Sequence, residues 1–309
     1  MTSLSQVGPS SGWIVFRHIP LAVGVAVGAL SVLVASLGSI PRAEASPPAN
    51  SSLQATTSRE ARESAIRSIP YDKMDPAGRA NVDSILANIS IYRRLPVRVT
   101  DCDPELYLFL LRHPDVVVNI WEVLGVSQIH VREVAEGTFR IGDNSGTAGT
   151  IRLLCQSQDT HVLYAEGCYE GVLCPRPIRG RCLLIVKSGY VRESDGRWYV
   201  TTRLDSFLSL EPGALELLTK TFQPLVGQIA DTNFSLTVGF VGSLSHTTEV
   251  NPRGVQRLAG KLTHVTPETR QQFADLAERV GKKPIDYPTR TSLHSPAAMA
   301  SRTETADAR

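Results

Sequence analysis

The residues able to do chemistry are scattered through this chain rather than gathered into one motif. Ser243-Leu244-Ser245-His246 sets hydroxyls beside an imidazole, the pairing an activated serine nucleophile needs. No Gly-x-Ser-x-Gly elbow occurs anywhere, and no aspartate can be assigned as third partner, so solvated or helix-end residues account for the run. Residues 142–150 (GDNSGTAGT) are glycine-rich but lack a Lys-Ser/Thr pair and do not lead into a helix, which predicts a hairpin turn rather than a phosphate cradle. Of seven histidines only His130 and His161 fall inside strand-like segments, and no pair sits at ligand spacing, so neither a metal site nor a cofactor is expected. Glu166 lies midway along an apolar segment between Tyr164 and Cys168. Facing a cavity, it would have a raised pKa and act as a general acid or ligand anchor; facing outward, it is simply solvated. An enzyme of cyclase or hydrolase type would have to combine Glu166 with His130 or Asp205.

The amino terminus bears on where any such chemistry takes place. Residues 21–40 (LAVGVAVGALSVLVASLGSI) carry no charge, follow Arg17 and His18, and precede the small-residue pattern Ala43-Glu44-Ala45. This is the three-part layout of a secretory signal, with cleavage expected between Ala45 and Ser46. Left uncleaved, residues 19–40 are long enough to anchor the chain in a bilayer. Either way the body is placed outside the cytoplasm, in the periplasm or the extracellular space. The net charge is +2, and +1 once residues 1–45 are gone, too little to attract nucleic acid. Five cysteines allow at most two bridges, and their spacings match no common zinc pattern. Cys168 and Cys182 flank a Pro-rich loop symmetrically about Pro175, which would set them opposite one another in an antiparallel pair, a candidate disulfide. Buried free thiols are the alternative. The same loop holds Arg176, Arg179 and Arg181, either ordinary surface charge or a contact for anionic head groups.

The elements that would position these residues follow from periodicity. Residues 46–62 are rich in Ser, Pro, Thr and Ala and read as a flexible tether; residues 282–309 read as a disordered tail. Asp75-Pro76 opens a helix with Val82, Ile85, Leu86 and Ile89 on one stripe, within a helical lead-in over 63–94. Residues 95–101 alternate as a short strand; Asp103-Pro104 and Pro114-Asp115 then open two short helices, the second carrying Val117, Ile120, Trp121 and Leu124 to a stop at Gly125. From 128 to 210 the period falls to two, as in an antiparallel meander. Residues 129–141 are expected as one bulged strand, Ile151, Leu153 and Cys155 share a face, and Ser194-Asp195-Gly196 turns the last hairpin. In the final strand Trp198, Val200, Thr202, Leu204, Ser206 and Leu208 are the inner face. A long helix follows, with Leu215, Leu218, Phe222, Leu225, Ile229, Leu236, Phe240 and Leu244 in a stripe interrupted at Thr232 and Asn233 and bent at Pro224; further helices occupy 247–281.

Strand, two short helices, meander and long helix, in that order over 95–246, resemble the START-like or helix-grip superfamily (the SRPBCC group), which includes lipid-transfer domains, pollen-allergen ligand carriers and polyketide-cyclase-like proteins. Six strands are counted where the family usually has seven. The resemblance implies an α+β fold in which a curved antiparallel sheet grips the long helix around an apolar cavity, with extra flanking helices. The expected lining is drawn from Trp121, Tyr164, Glu166, Trp198, Thr202 and Asn233, the polar members serving to orient a ligand. The function expected is binding of a hydrophobic small molecule or lipid, without catalysis, by an exported or membrane-tethered domain. The alternatives are an envelope protein–protein assembly factor with a solid core, and the enzyme above. A carrier requires a cavity of about 300 Å³ or more between sheet and helix.

Overall fold

The computed structural model describes residues 53–143, 146–170, 177–194, 196–211 and 223–283, with the side chains of 223–226 excepted. The export segment, the tail beyond 283, Leu215, Leu218, Phe222, Cys174, Arg176 and most of the arginine loop lie outside the described residues.

Helix starts are set where the sequence places carboxylates and prolines. Asp75 caps α2 (Pro76–Leu86) by accepting from the Gly78 N–H, and Asp103 caps α3 (Pro104–Arg112) by accepting from Glu105 and Leu106. Before them α1 (Arg59–Arg67) starts at Ser58, and Thr56 bridges Arg94, so the chain is already packed where a tether to residue 62 was expected. After α3, α4 (Pro114–Val123) runs to a stop at Gly125, whose φ is 70°. Val117, Ile120 and Trp121 are buried as their spacing requires, whereas Leu124 is exposed.

Among the described residues the sheet has eight strands rather than six, all pairing antiparallel: β1 (Ile91–Arg94), β2 (Arg98–Asp101), β3 (His130–Ala135), β4 (Thr138–Gly142), β5 (Thr147–Gln156), β6 (Thr160–Tyr169), β7 (Ile178–Arg192) and β8 (Trp198–Leu210). From β3 to β8 neighbours in sequence are neighbours in space, and β1 and β2 share the outer side of β8 in succession. Two corrections raise the count. β1 lies at the end of the segment expected as helical lead-in, and the strand expected over 95–101 is confined to β2, with Leu95 buried between the two. The segment 129–141 is a hairpin turning at Gly137, whose φ of 62° favours glycine, with the irregularity expected near Glu133 falling between Glu133 and Ala135.

The long helix α5, described over Gln223–Val250, lies across one face of the sheet; the bend expected at Pro224 falls at the edge of the described residues. α6 (Pro252–Ala259) and α7 (Pro267–Gly281) complete that layer. Here Trp121, Phe139, Val200, Leu208, Val241, Leu244 and Phe273 form the larger core. α5 buries Phe234, Val238, Val241 and Leu244, while Leu236 and Phe240 only flank the core. The opposite face of the sheet is covered too: α1 and α2 pack Ala65, Val82 and Ile85 onto Val162, Leu183, Ile185 and Phe207. The bulge between Leu153 and Cys155 sends Cys155 to this second core, so it does not share a face with Ile151 and Leu153. The result is the helix-grip arrangement, α+β, with an added helical layer behind the sheet.

Candidate functional site

Between the sheet and α5 lies a cavity of about 170 Å³. Its floor is Ile151, Ala165, Leu184 and Thr202; α3 and α4 contribute Tyr107, Leu110 and Trp121; α5 closes it with Phe234, Val238 and Val241. Trp121 is held edge-on against Phe240 at a centroid distance of 5.5 Å. The hydroxyls at the wall have partners inside the protein. Tyr107 Oη meets Ser188 Oγ at 2.8 Å and Thr202 Oγ1 at 2.9 Å, and Thr237 Oγ1 donates to the Asn233 carbonyl at 2.8 Å. Burial pushes the Tyr107 phenol up despite those two hydroxyls, so it is neutral at any physiological pH. What remains to meet a ligand is hydrocarbon.

Of the six residues expected to line this space, two do. Trp121 and Thr202 are in its wall. Asn233 is buried but is not part of the lining. Tyr164 faces the second core, and Glu166, two residues on, is exposed on that same side, where it accepts from the Tyr164 hydroxyl at 2.8 Å. Trp198 is 37% exposed at the outer end of β8, with the Arg192 guanidinium 6.0 Å from its ring centroid. Alternation assigned Trp198 the correct face, but the helices do not reach that end of the strand. Thr232 is exposed.

The groups needed for an enzyme are dispersed. Asp205 is fully buried on the face away from the cavity, bonded by Tyr92 and Arg94 at 2.7 Å each. Ser245 and His246 are not a catalytic pair: Ser245 Oγ accepts the Asp103 N–H at 2.9 Å and ties α5 to the start of α3. The disulfide expected between Cys168 and Cys182 is not formed. Cys168 stands opposite Arg179 and Cys182 opposite Ala165, three residues out of register, and both thiols are free.

Sequence spacing hid one constellation. Glu122, on the last turn of α4, receives His130 Nδ1 from β3 at 2.5 Å and His264 Nδ1, from the loop between α6 and α7, at 2.8 Å. Asn119 donates to Glu122 at 2.7 Å and accepts the His264 N–H at 3.1 Å. Burial alone would raise the Glu122 pKa, but hydrogen bonds from His264, Asn119 and His130 outweigh it and hold the carboxyl below its usual range. The eight-residue step from Glu122 to His130 crosses a helix-to-strand turn, and His264 is far away in sequence, so no linear motif announces the group.

No protein-family model matches the chain, and no curated protein is similar to it in sequence. Among solved structures, a conserved protein from Geobacillus kaustophilus aligns at 10% identity and a TM-score of 0.35, covering 48% of this chain and 93% of that one. Ara h 8.0201 aligns at 11% and 0.27, covering 47% and 99%. Protein Ms6760 from Mycobacterium smegmatis aligns at 10% and 0.28, covering 50% and 89%. The fold assignment rests on strand order and helix packing, not on these similarities.

Proposed function

We propose that this chain is an exported, non-catalytic helix-grip domain that takes up a small apolar molecule between its sheet and α5. The observation supporting this reading is the apolar cavity of about 170 Å³. That volume suits a single ring, on the scale of the roughly 150 Å³ apolar cavities that admit benzene, and falls below the roughly 300 Å³ at which drug-sized pockets begin. An intact lipid therefore does not fit the space described, and the carrier reading narrows to a small hydrophobic ligand. Since the wall hydroxyls are engaged within the protein, recognition is by shape and apolar contact, without a head-group anchor.

At about 170 Å³ the cavity misses the roughly 300 Å³ expected of a carrier, which counts against a carrier of lipids or drug-sized molecules and favours, as the second reading, the envelope assembly factor. Native mass spectrometry of the protein purified from its own host separates the two: a co-purifying apolar molecule of one-ring size supports ligand binding, and a bare chain retaining a protein partner supports assembly. Export rests on residues 1–45 and is checked by sequencing the mature amino terminus. Ser46 is expected there, or an uncleaved chain in the membrane fraction; a chain starting at Met1 in the cytosol would contradict it.

A further inference from the structure

We propose that Glu122, His130 and His264 bind one divalent transition-metal ion of the zinc class. Two imidazole nitrogens and a carboxylate oxygen, all within 4.8 Å of one another, form a donor set suited to zinc, with a fourth position left for solvent. They come from three elements whose positions are fixed independently by packing. Glu122 is anchored on α4 beside the buried Trp121, His130 stands on the edge strand β3, and His264 is held through its backbone by Asn119. Asn119, 1% exposed, bonds both Glu122 and the His264 backbone, the orienting role that a second layer of groups plays around metal ligands. The two imidazoles cross at 80° with centroids 5.1 Å apart, unstacked, and each presents its Nδ1 to a different oxygen of the Glu122 carboxylate. Donor atoms about 2.0–2.2 Å from a shared tetrahedral ion stand roughly 3.3 Å apart. The contacts of 2.5 and 2.8 Å are shorter than this, so each ring must move outward by less than about 1 Å to admit the ion.

The fourth position opens on a groove of about 260 Å³ that His130 and His264 border together with Ile141 and Gly142. Arg132 and Arg140 also border it, and their charge opposes a bare dication, so affinity in the micromolar range is expected rather than the tighter binding of closed structural sites. This site lies outside the apolar cavity, and no residue lines both.

The test is titration of tag-free, chelator-treated full chain with Co²⁺, followed by its visible d–d absorption, and then competition by Zn²⁺. One ion per chain is expected. His264→Ala and Glu122→Gln should each weaken binding at least tenfold, while His246→Ala, on the exposed side of α5, should leave it unchanged. Because Glu122→Gln also disturbs hydrogen bonds that hold the loop, His130→Ala on the exposed edge strand serves as the second variant and should lose binding tenfold with unchanged circular dichroism. Absence of d–d bands at millimolar Co²⁺, or an affinity indifferent to His264→Ala and His130→Ala alike, would overturn the proposal.

Discussion

Asp115, in the first turn of α4, is fully buried, and neither carboxylate oxygen has a hydrogen-bond partner among the described residues. Burial, helped by Glu133, pushes its pKa up to about 7. His161, at the start of β6, is likewise fully buried with both ring nitrogens unbonded; burial, helped by Arg112, lowers it to about 4. The two act on stability with opposite sign. Folded Asp115 keeps a proton that the unfolded chain loses above about 4, so its stabilisation, up to about 4 kcal/mol, is lost as pH rises towards 7. Folded His161 refuses a proton that the unfolded chain accepts below about 6.5, so its contribution, up to about 3 kcal/mol, is lost as pH falls towards 4. Between pH 4 and 6.5 they largely cancel. Urea unfolding across that range should therefore show stability climbing with pH in Asp115→Asn and falling with pH in His161→Gln; parallel curves for wild type and both variants would refute the assignment. Neither residue was singled out for this from sequence, because strand alternation and cap position locate a side chain but do not say whether a partner reaches it. Glu166 failed the other way: its polarity among apolar neighbours marked an exposed position bordering an open groove with Arg140, Arg179 and Arg181, not the cavity beneath α5.

At the level of elements, the seat of α5 decides the width of the cavity. Arg93 forms a two-pronged ion pair with Asp231, Arg98 donates to Ser235 at 2.9 Å, and Ser245 accepts the Asp103 N–H at 2.9 Å. Between these ties the helix backbone meets β2 at Gly242, where an added Cβ would stand 2.1 Å from Thr100 Oγ1 and 3.3 Å from the Asp101 carbonyl. Gly242→Ala gains about 1 kcal/mol of helix propensity but incurs about 1–3 kcal/mol of overpacking, so a net loss of stability is expected. Gly239, one turn earlier with nothing within 4 Å of its would-be Cβ, should gain from the same change. Thermal unfolding of the two variants measures the difference, and equal shifts would show that the helix is not seated through Gly242. Element order was readable because caps and periods are local signals: Asp75, Asp103 and Gly125 mark helix ends as expected. β1 was not, since four residues at the end of a helical stretch are too few to set a period of two, and the exact reach of α5 over β8 was not, since that depends on tertiary packing beyond Trp198.

For the molecule as a whole, the helix opened at Asp75-Pro76 is legible in the sequence, but its place behind the sheet is not. A strand buried on both faces gives a continuous apolar run rather than alternation. Leu183-Leu184-Ile185-Val186 in β7 is such a run, and it was the available sign that α1 and α2 would cover the second face. With both faces covered, the apolar space left among the described residues between the sheet and α5 is small, and its size bears directly on the proposed function.

The direct measurement is binding of benzene to the full chain, by calorimetry and by thermal unfolding, in wild type and in Ala165→Leu, which places a larger side chain in the cavity floor. Ligand binding predicts saturable uptake of one benzene per wild-type chain, with about 1.4 kcal/mol of stabilisation at a tenfold excess over Kd, and at least tenfold weaker binding in the folded Ala165→Leu variant. No saturable binding by wild type, or the same affinity in Ala165→Leu, would contradict it and leave the assembly reading.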